Sequence, residues 1–370
     1  VDFSLPGVLP LELKRTYPGK MRVEGMLGPR WICNWSQRIT IDDEAHTALL
    51  EDAEGQRLVF AIGDAHLIDA RHLKAPCYHL TGTRRRMRLF DSRSQQFILF
   101  ARVGDSAALE MAGIEDRNGN SIEFVRDAVG RLTSVKHADG TTLRVETTPA
   151  GMLRALWLDG EAEPLVRYNY DKDDCLLNVV GAFTGVFHYG YSKEGWLNAW
   201  SDSGATKVDI LYDDAGRVIG THTGDGMFND RFDYFPEARR SSYTDATGAT
   251  THFHYDANNL VTEEIDPLGG RTVSEWAGLE RLQRTIDAAG RETRFIHDDD
   301  GRVIMETDWA GRTAEWTYDR WGALVAFKNV EGTTEWTRDR CGNVTRWKMA
   351  DSSAGTARYN ASGTLIGEQL

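Results

Sequence analysis

The chain has 370 residues and a net charge of −13, a balance that argues against nucleic acid or an anionic membrane surface as its partner. Hydrophobic residues make up 41%, enough for a sizeable core, and the length allows two or three ordinary domains or one repeat array with a cap. Gly is frequent at 36 residues and Pro scarce at 9, as expected of many tight turns without disorder.

From Val1 to about Glu115 no fixed period appears. Leu5-Pro6-Gly7 and Tyr17-Pro18-Gly19 are turn signals. Trp31 to Thr40 and Leu58 to Ile62 alternate in part, and Gln95 to Arg102 is the strongest strand of this half. Residues 1–115 are therefore read as a β-rich N-terminal module. Arg84-Arg85-Arg86 is either a contact for an anion or partner, or a solvated edge that blocks edge-to-edge pairing; the edge reading is preferred.

Asp116 to Asn120 is a turn, and a period begins after it. Arg126-Asp127-Ala128-Val129-Gly130-Arg131-Leu132 is the first full unit. The Gly slot recurs at Gly151, Asp174, Gly195, Gly216, Ala238, Asn259, Glu280, Gly301, Gly322, Gly342 and Gly363, at steps of about 21 residues. Residues 116–370 thus hold about twelve repeats. In each, an Asp heads a four-residue turn and accepts backbone N–H groups two residues on, while the Gly supplies the positive φ that other residues resist. Asp127 with Gly130, Asp213 with Gly216, Asp298 with Gly301, and Asp319 with Gly322 are the pairs assigned this structural role. A second turn such as Asp308-Trp309-Ala310-Gly311 lies midway between two of these.

Segments of six or seven residues rich in Thr, Val, Ile, Trp, Tyr and Phe separate the turns and suit strands. Turns every ten or so residues leave no room for ordinary helices. Each repeat is then one β-hairpin. Asp174 and Asn259 can take the left-handed turn position; Ala238 and Glu280 cannot do so cheaply, so altered turns are expected near Glu237 and Leu279. About 24 short strands are too many for a flat open sheet, so the array should curl into a spiral sheet or part of a wide cocoon or barrel. Within Glu315-Trp316-Thr317-Tyr318, Trp316 and Tyr318 share one face. A wide curl could enclose something.

Chemistry-bearing motifs are few. Cys33, Cys77, Cys175 and Cys341 are far apart, which suits free thiols better than zinc or disulfides. Leu176 to Phe187 is too short an apolar run to span a bilayer as a helix. His252 and His254 share a strand face and could ligate a metal, but ordinary strand histidines are preferred. Asp298-Asp299-Asp300 and Asp171-Lys172-Asp173-Asp174 resemble calcium ligands, yet both fall in the turn slot. Trp309 and Trp321 could stack on sugars; packing is the simpler role. No catalytic, cofactor or metal residue is assigned.

The Tyr-Asp-x-x-Gly-Arg-Leu pattern, clearest at Tyr212 to Val218 and Tyr318 to Leu324, resembles the YD repeats of Rhs proteins, a family of bacterial polymorphic toxins. Asp2-Phe3-Ser4-Leu5-Pro6-Gly7, Leu11, Arg15-Thr16-Tyr17 and Gly28-Pro29-Arg30-Trp31 resemble the module that precedes those repeats. The repeat alone is also similar to those of teneurins, insecticidal toxin-complex C components and bacterial wall-associated proteins. The resemblance implies a hollow β-cocoon around a C-terminal toxin. It also implies synthesis in the bacterial cytoplasm, then delivery, in many members on a type VI secretion spike with a chaperone, through an upstream region not seen here. The chain begins abruptly at Val1, with no signal-peptide pattern, and looks like part of something longer. No match to the family's core boundary follows the array, so none of its cleavage residues is carried over. The expected role is a non-catalytic shell segment whose partners are the remainder of the shell and its toxin. The alternatives are a surface adhesin or glycan- or protein-binding scaffold, and, with least support, a glycosidase. Edge strands should need a continuing chain, a second copy or another shell to cover them.

Overall fold

In a computed structural model of the chain, residues 1–19, 24–104, 106–204 and 206–370 are described. The described residues are almost entirely β-strands and tight turns. The helical content among them is two single 3-10 turns, Pro236–Ala238 and Gly278–Glu280. Strand pairing is antiparallel throughout, between strands that are mostly consecutive in sequence. The all-β, tandem-hairpin expectation therefore holds, and its cause is local: the turns come too often for any longer element to propagate.

The chain divides into two compact units. The first comprises Val1–Ala205 and Tyr359–Ile366, the second Thr206–Arg358 and Gly367–Leu370. In the first unit, consecutive hairpins run from Ile68–Arg71 to Leu197–Ser201. A three-strand meander, Arg38–Asp42, Thr47–Glu51 and Arg57–Ala61, joins them through pairing of Arg38–Asp42 with Ala108–Asp116. This unit holds most of the core. Leu13, Leu27, Trp35, Ile39, Leu50, Phe60, Leu80, Leu89, Phe100, Leu109, Val135, Leu156 and Tyr168 are all at most 1% exposed. The strands here alternate buried and solvated residues, as Ala108–Asp116 does, so one face packs on a second layer.

The second unit is built differently. Its hairpins run from Lys207–Tyr212 to the strand Ala354–Tyr359, whose last residue belongs to the first unit. Among its described residues only Val208, Ala323 and Ala357 are buried apolar side chains. Trp316 and Tyr318 do share a face, where Trp316 packs on Phe327 with ring centroids 5.5 Å apart.

The Gly slot has the expected conformation. Gly130, Gly216, Gly301 and Gly322 have φ of 89°, 70°, 75° and 77°. Asp174 and Asn259 adopt 61° and 65° in the same slot. The two irregular slots solve the problem in two ways. At Pro236–Ala238 the chain makes a 3-10 turn and the positive φ moves on to Arg239, at 47°. At Gly278–Glu280 both Leu279 and Glu280 are left-handed, at 63° and 62°. Two successive left-handed residues are the signature of the tight hairpin turn whose twist matches its strands. Glu280 thus takes the conformation its side chain resists.

Left-handed φ costs a non-glycine residue about 1–2 kcal/mol, against which a glycine loses about 0.5–1 kcal/mol in chain entropy. Leu279 is 40% exposed, so its side chain contributes little packing. Leu279→Gly should therefore raise the calorimetric midpoint of the transition that unfolds this hairpin. A lowered midpoint would show that the leucine side chain outweighs the strain.

Candidate functional site: the turn rows and the docked N-terminal segment

The Asp-headed repeat turns are closed by one recurring set of hydrogen bonds. At Asp127 the backbone N–H of Gly130 donates to its carbonyl at 3.0 Å, and its own N–H donates to the Arg131 carbonyl at 2.9 Å. Its carboxylate Oδ1 accepts the N–H groups of Val129 and Arg131 at 3.0 and 2.9 Å. Asp213, Asp298 and Asp319 each accept the N–H four residues on at 2.8–2.9 Å. A turn of this kind followed by a left-handed residue makes a bulge in the flanking strand. The register shifts at the residue just before the Asp, as between Thr317 and Tyr318 or Asn169 and Tyr170.

The second carboxylate oxygen holds the arginine after the glycine. Arg131, Arg217 and Arg302 donate Nε–H to Asp127, Asp213 and Asp298 at 2.7–2.8 Å. Arg217 and Arg302 then reach the next repeat. The Arg217 guanidinium lies 4.8 Å from the Tyr234 ring centroid and that of Arg302 4.9 Å from Tyr318. The same tyrosines donate their O–H to the preceding repeat's backbone, Tyr234 to the Val218 carbonyl at 2.9 Å and Tyr318 to that of Val303 at 3.0 Å. Tyr170 to Leu153 and Tyr191 to Leu176 repeat the bond in the first unit. Where tryptophan or arginine replaces the tyrosine, the bond survives: Trp276 reaches Val261 and Arg338 reaches Leu324. The acceptor is always the residue two after the turn slot. Sequence reading assigned the Asp and Gly roles but missed this staple, whose donor stands directly before an Asp at Tyr170, Tyr318 and Arg338 but before Ser192, Phe235 and Ala277 at Tyr191, Tyr234 and Trp276.

The other flagged residues divide. Asp298 and Asp300 both face Arg302, and Asp171 caps its own turn through the Asp173 and Cys175 N–H groups. His254 lies 3.9 Å from Glu263. Trp309 is 59% exposed at a hairpin tip. Arg84 is not a free edge charge: it binds Asp43 and the carbonyls of Gly63 and Ala65. The four cysteines form no disulfide, and Cys33 is buried.

The N-terminal segment docks on the first hairpins of the array, all within the first unit. Phe3–Leu5 pairs with Leu11–Leu13. Trp35 packs between Phe3 and Phe124, at 5.9 and 5.3 Å. Asp2, 2% exposed, accepts the Tyr168 O–H at 2.8 Å and pairs with Arg15. Arg15 also donates to the Tyr189 hydroxyl. Trp31 Nε1–H donates to the Tyr191 hydroxyl at 2.8 Å, so one staple tyrosine also anchors this segment. Burial pushes the Tyr168 and Tyr191 phenols far up, which keeps them as O–H donors. Gly28 has φ of 83°, and a Cβ there would lie 2.3 Å from the Asp174 carbonyl oxygen.

Two outcomes follow. Backbone N–H groups four residues on, foremost, hold the carboxyls of Asp127, Asp213, Asp256 and Asp287 below their ordinary value of 3.8. A depressed carboxyl contributes stability above its unfolded pKa and loses it as pH falls through the folded one. Urea midpoints should be level above about pH 5 and fall below about pH 4, less steeply in Asp213→Asn. A midpoint unchanged down to about pH 2.5 would contradict the role of the row. Arg15→Met should cost about 3–5 kcal/mol, because it strands the buried Asp2 carboxylate; protease sensitivity of the first 60 residues should rise with it. A variant as stable and resistant as the parent would remove Arg15 from the docking.

Comparison with known proteins places these features. Residues 1–60 match the family model described as Domain of unknown function (DUF6531). Residues 239–271 and 281–313 match the RHS Repeat model. The chain is 30% identical over 323 residues to Probable deoxyribonuclease RhsB of Dickeya dadantii, covering 86% of this chain and 22% of that protein. It is 26% identical over 266 residues to Double-stranded DNA deaminase toxin A of Burkholderia cenocepacia, covering 70% and 18%. A solved complex of TcdB2 with TccC3 aligns at a TM-score of 0.39 and 11% identity, over 90% of this chain and 21% of that one; the fold assignment rests on strand register and not on that likeness. The chain spans about a fifth of the length of the curated relatives it matches. With the module that its first 60 residues match and its RHS repeats, the chain belongs to the Rhs (YD-repeat) family.

Proposed function

We propose that this chain is a non-catalytic wall segment of an Rhs-type toxin, with an N-terminal module at 1–115 and a hairpin array at 116–370 that curls around a toxin domain carried by a longer polypeptide. The observation that carries the proposal is the docked N-terminal segment. The array's first hairpins, Ser121–Arg126 onward, are capped by a buried ion pair, tryptophans and tyrosine staples instead of being left open. Repeat arrays need such a cap, because each repeat buries its faces only against neighbours. The relatives' printed names, deoxyribonuclease and DNA deaminase toxin, describe proteins of which this chain matches about a fifth, so their chemistry is assigned to other parts of those polypeptides.

The second unit supports the enclosing role. A sheet whose aromatic face is only half-buried has apolar surface to offer, and contiguous apolar surface of that kind marks interaction sites. Its partners would be the rest of the shell and the toxin. Delivery on a type VI spike with a chaperone belongs to the same proposal, with synthesis in the bacterial cytoplasm before export.

The test uses the longer polypeptide with and without residues 1–370, carrying the toxin region in both. With the chain present, the toxin region should resist protease until urea unfolds the hairpins, and the chain alone should neither cleave nor deaminate double-stranded DNA. Equal protease sensitivity of the toxin region in both forms would overturn the enclosing role. DNA cleavage or deamination by the chain alone would overturn its non-catalytic assignment.

A further inference from the structure

A cavity of about 370 Å³ opens in the first unit, within the about 300–1,000 Å³ typical of small-ligand sites. It lies where the turn between Tyr78–Thr83 and Arg86–Asp91 meets the end of Gln96–Arg102. Its lining is Arg85, Arg86, Ala101, Arg102 and Gly104, so its polar side chains are all arginines. The proposed shell role does not use it.

Strand pairing brings the like charges together. Thr83 faces Arg86 across a turn that has Arg84 and Arg85 at its centre. Arg86 is paired with Ala101, and the Arg102 N–H donates to the Arg85 carbonyl at 3.0 Å. The register therefore sets Arg85 opposite Arg102. Opposed like charges on neighbouring strands destabilise a sheet, and an anion shared between them removes that cost. The turn that carries them is held in place. Thr83 Oγ1 accepts the N–H groups of Arg85 and Arg86 at 3.4 and 3.3 Å. Arg84 is tied to Asp43 and to the carbonyls of Gly63 and Ala65.

Neighbouring arginines are spent, but these are not. Arg88 pairs with Glu115 at 3.2 Å and lies 4.2 Å from the Phe97 ring centroid. The guanidinium groups of Arg85, Arg86 and Arg102 have no acceptor among the described residues. Carboxylates are not scarce in this chain, which has 56 acidic residues against 43 Lys and Arg. Leaving three adjacent arginines unpaired in such a chain is therefore a property of this place and not of the composition.

The donor set selects the ligand. A cation meets three like charges, and a neutral molecule leaves them uncompensated. Arginine offers a planar fork that donates two parallel N–H bonds to a pair of oxygens. A carboxylate has two oxygens, enough for one fork. A tetrahedral phosphate group presents oxygens to two or three forks at once, and its charge balances more than one arginine.

We propose that Arg85, Arg86 and Arg102 bind a phosphate-class oxyanion, either inorganic phosphate or the phosphate group of a small organic ester. The test is titration calorimetry of the full chain at about 0.05 M ionic strength, with inorganic phosphate, glycerol phosphate and acetate as probes. At least one phosphate probe should bind saturably with a Kd on the order of 1 mM or below, and more weakly as salt is added. Tighter binding of the ester identifies an esterified phosphate as the ligand, and tighter binding of inorganic phosphate identifies the free ion. Arg85→Gln and Arg102→Gln should each weaken binding about fivefold or more with circular dichroism unchanged, and the double variant should lose it. Arg88→Gln, outside the cavity, should bind like the parent. Saturating phosphate should raise the thermal midpoint of the parent and not of the double variant. In phosphate-free buffer Arg102→Gln should melt no lower than the parent, since it relieves Arg85 of a like-charged neighbour. No saturable binding of either phosphate probe up to about 20 mM, acetate bound as tightly as phosphate, equal binding by the double variant, or a lowered phosphate-free midpoint of Arg102→Gln would each overturn the assignment. So would a short DNA duplex that binds through these arginines when neither phosphate probe does. None of these outcomes bears on whether the array shields a toxin, which the protease experiment reads separately.

Discussion

The repeat array depends on one backbone requirement, a left-handed residue at the fourth position of each Asp-headed turn. Glycine meets it in most repeats, at φ between 70° and 92°. The turn is followed by a bulge, two residues of the strand after it facing the one residue before the Asp, as Leu324 and Val325 face Tyr318. At Tyr170, Tyr191, Tyr234, Trp276 and Tyr318 an aromatic lies along the sheet, close enough for its hydroxyl or ring N–H to reach the previous repeat's backbone carbonyl. The Asp and Gly act together in each such turn, joined by the following Arg at Asp127, Asp213 and Asp298 and by a preceding aromatic staple at Tyr170 and Tyr318. The Gly fixes the geometry, and the Asp holds both the loop and the Arg. The aromatic ties one hairpin to its predecessor.

That division explains what was legible in the sequence. The Asp and Gly act within four residues of each other, so their spacing carries their roles. The staple joins Tyr318 to Val303 and Tyr234 to Val218, across a strand pairing that must be known first. The docking of the N-terminal segment is less legible still. Asp2 meets Tyr168 and Arg15 meets Tyr189 over separations of 166 and 174 residues, and no local pattern encodes such a meeting. The irregular slots at Ala238 and Glu280 were visible as departures, yet the form each departure took was not. Moving the positive φ to Arg239 and doubling it at Leu279 and Glu280 are both open to a chain whose glycine is missing.

The two units obtain their stability from different sources. The first packs large side chains into a dry interior, where hydrophobic burial dominates. The second has almost none of that among its described residues, and is held by strand ladders, cross-strand rings such as Phe232 on Tyr243, and Asp–Arg pairs at the turns. Exposed ion pairs are worth little singly, so the ladder and the staple carry most of the load. A wall made this way tolerates variation in each repeat, because no single side chain is shared by the whole layer.

The burial contrast also bears on how such a wall could serve a cargo. A sheet finished on both faces by its own second layer has no apolar surface left for another molecule. A sheet stabilised mainly along its strands can leave Ile296, Ile304, Met305 and Trp316 lining an open hollow without losing its own fold. The same residues that make the second unit's core thin are therefore the ones that make it useful as a surface. Within the first unit, Trp31, Trp35 and Arg15 tie the N-terminal segment to the first hairpins.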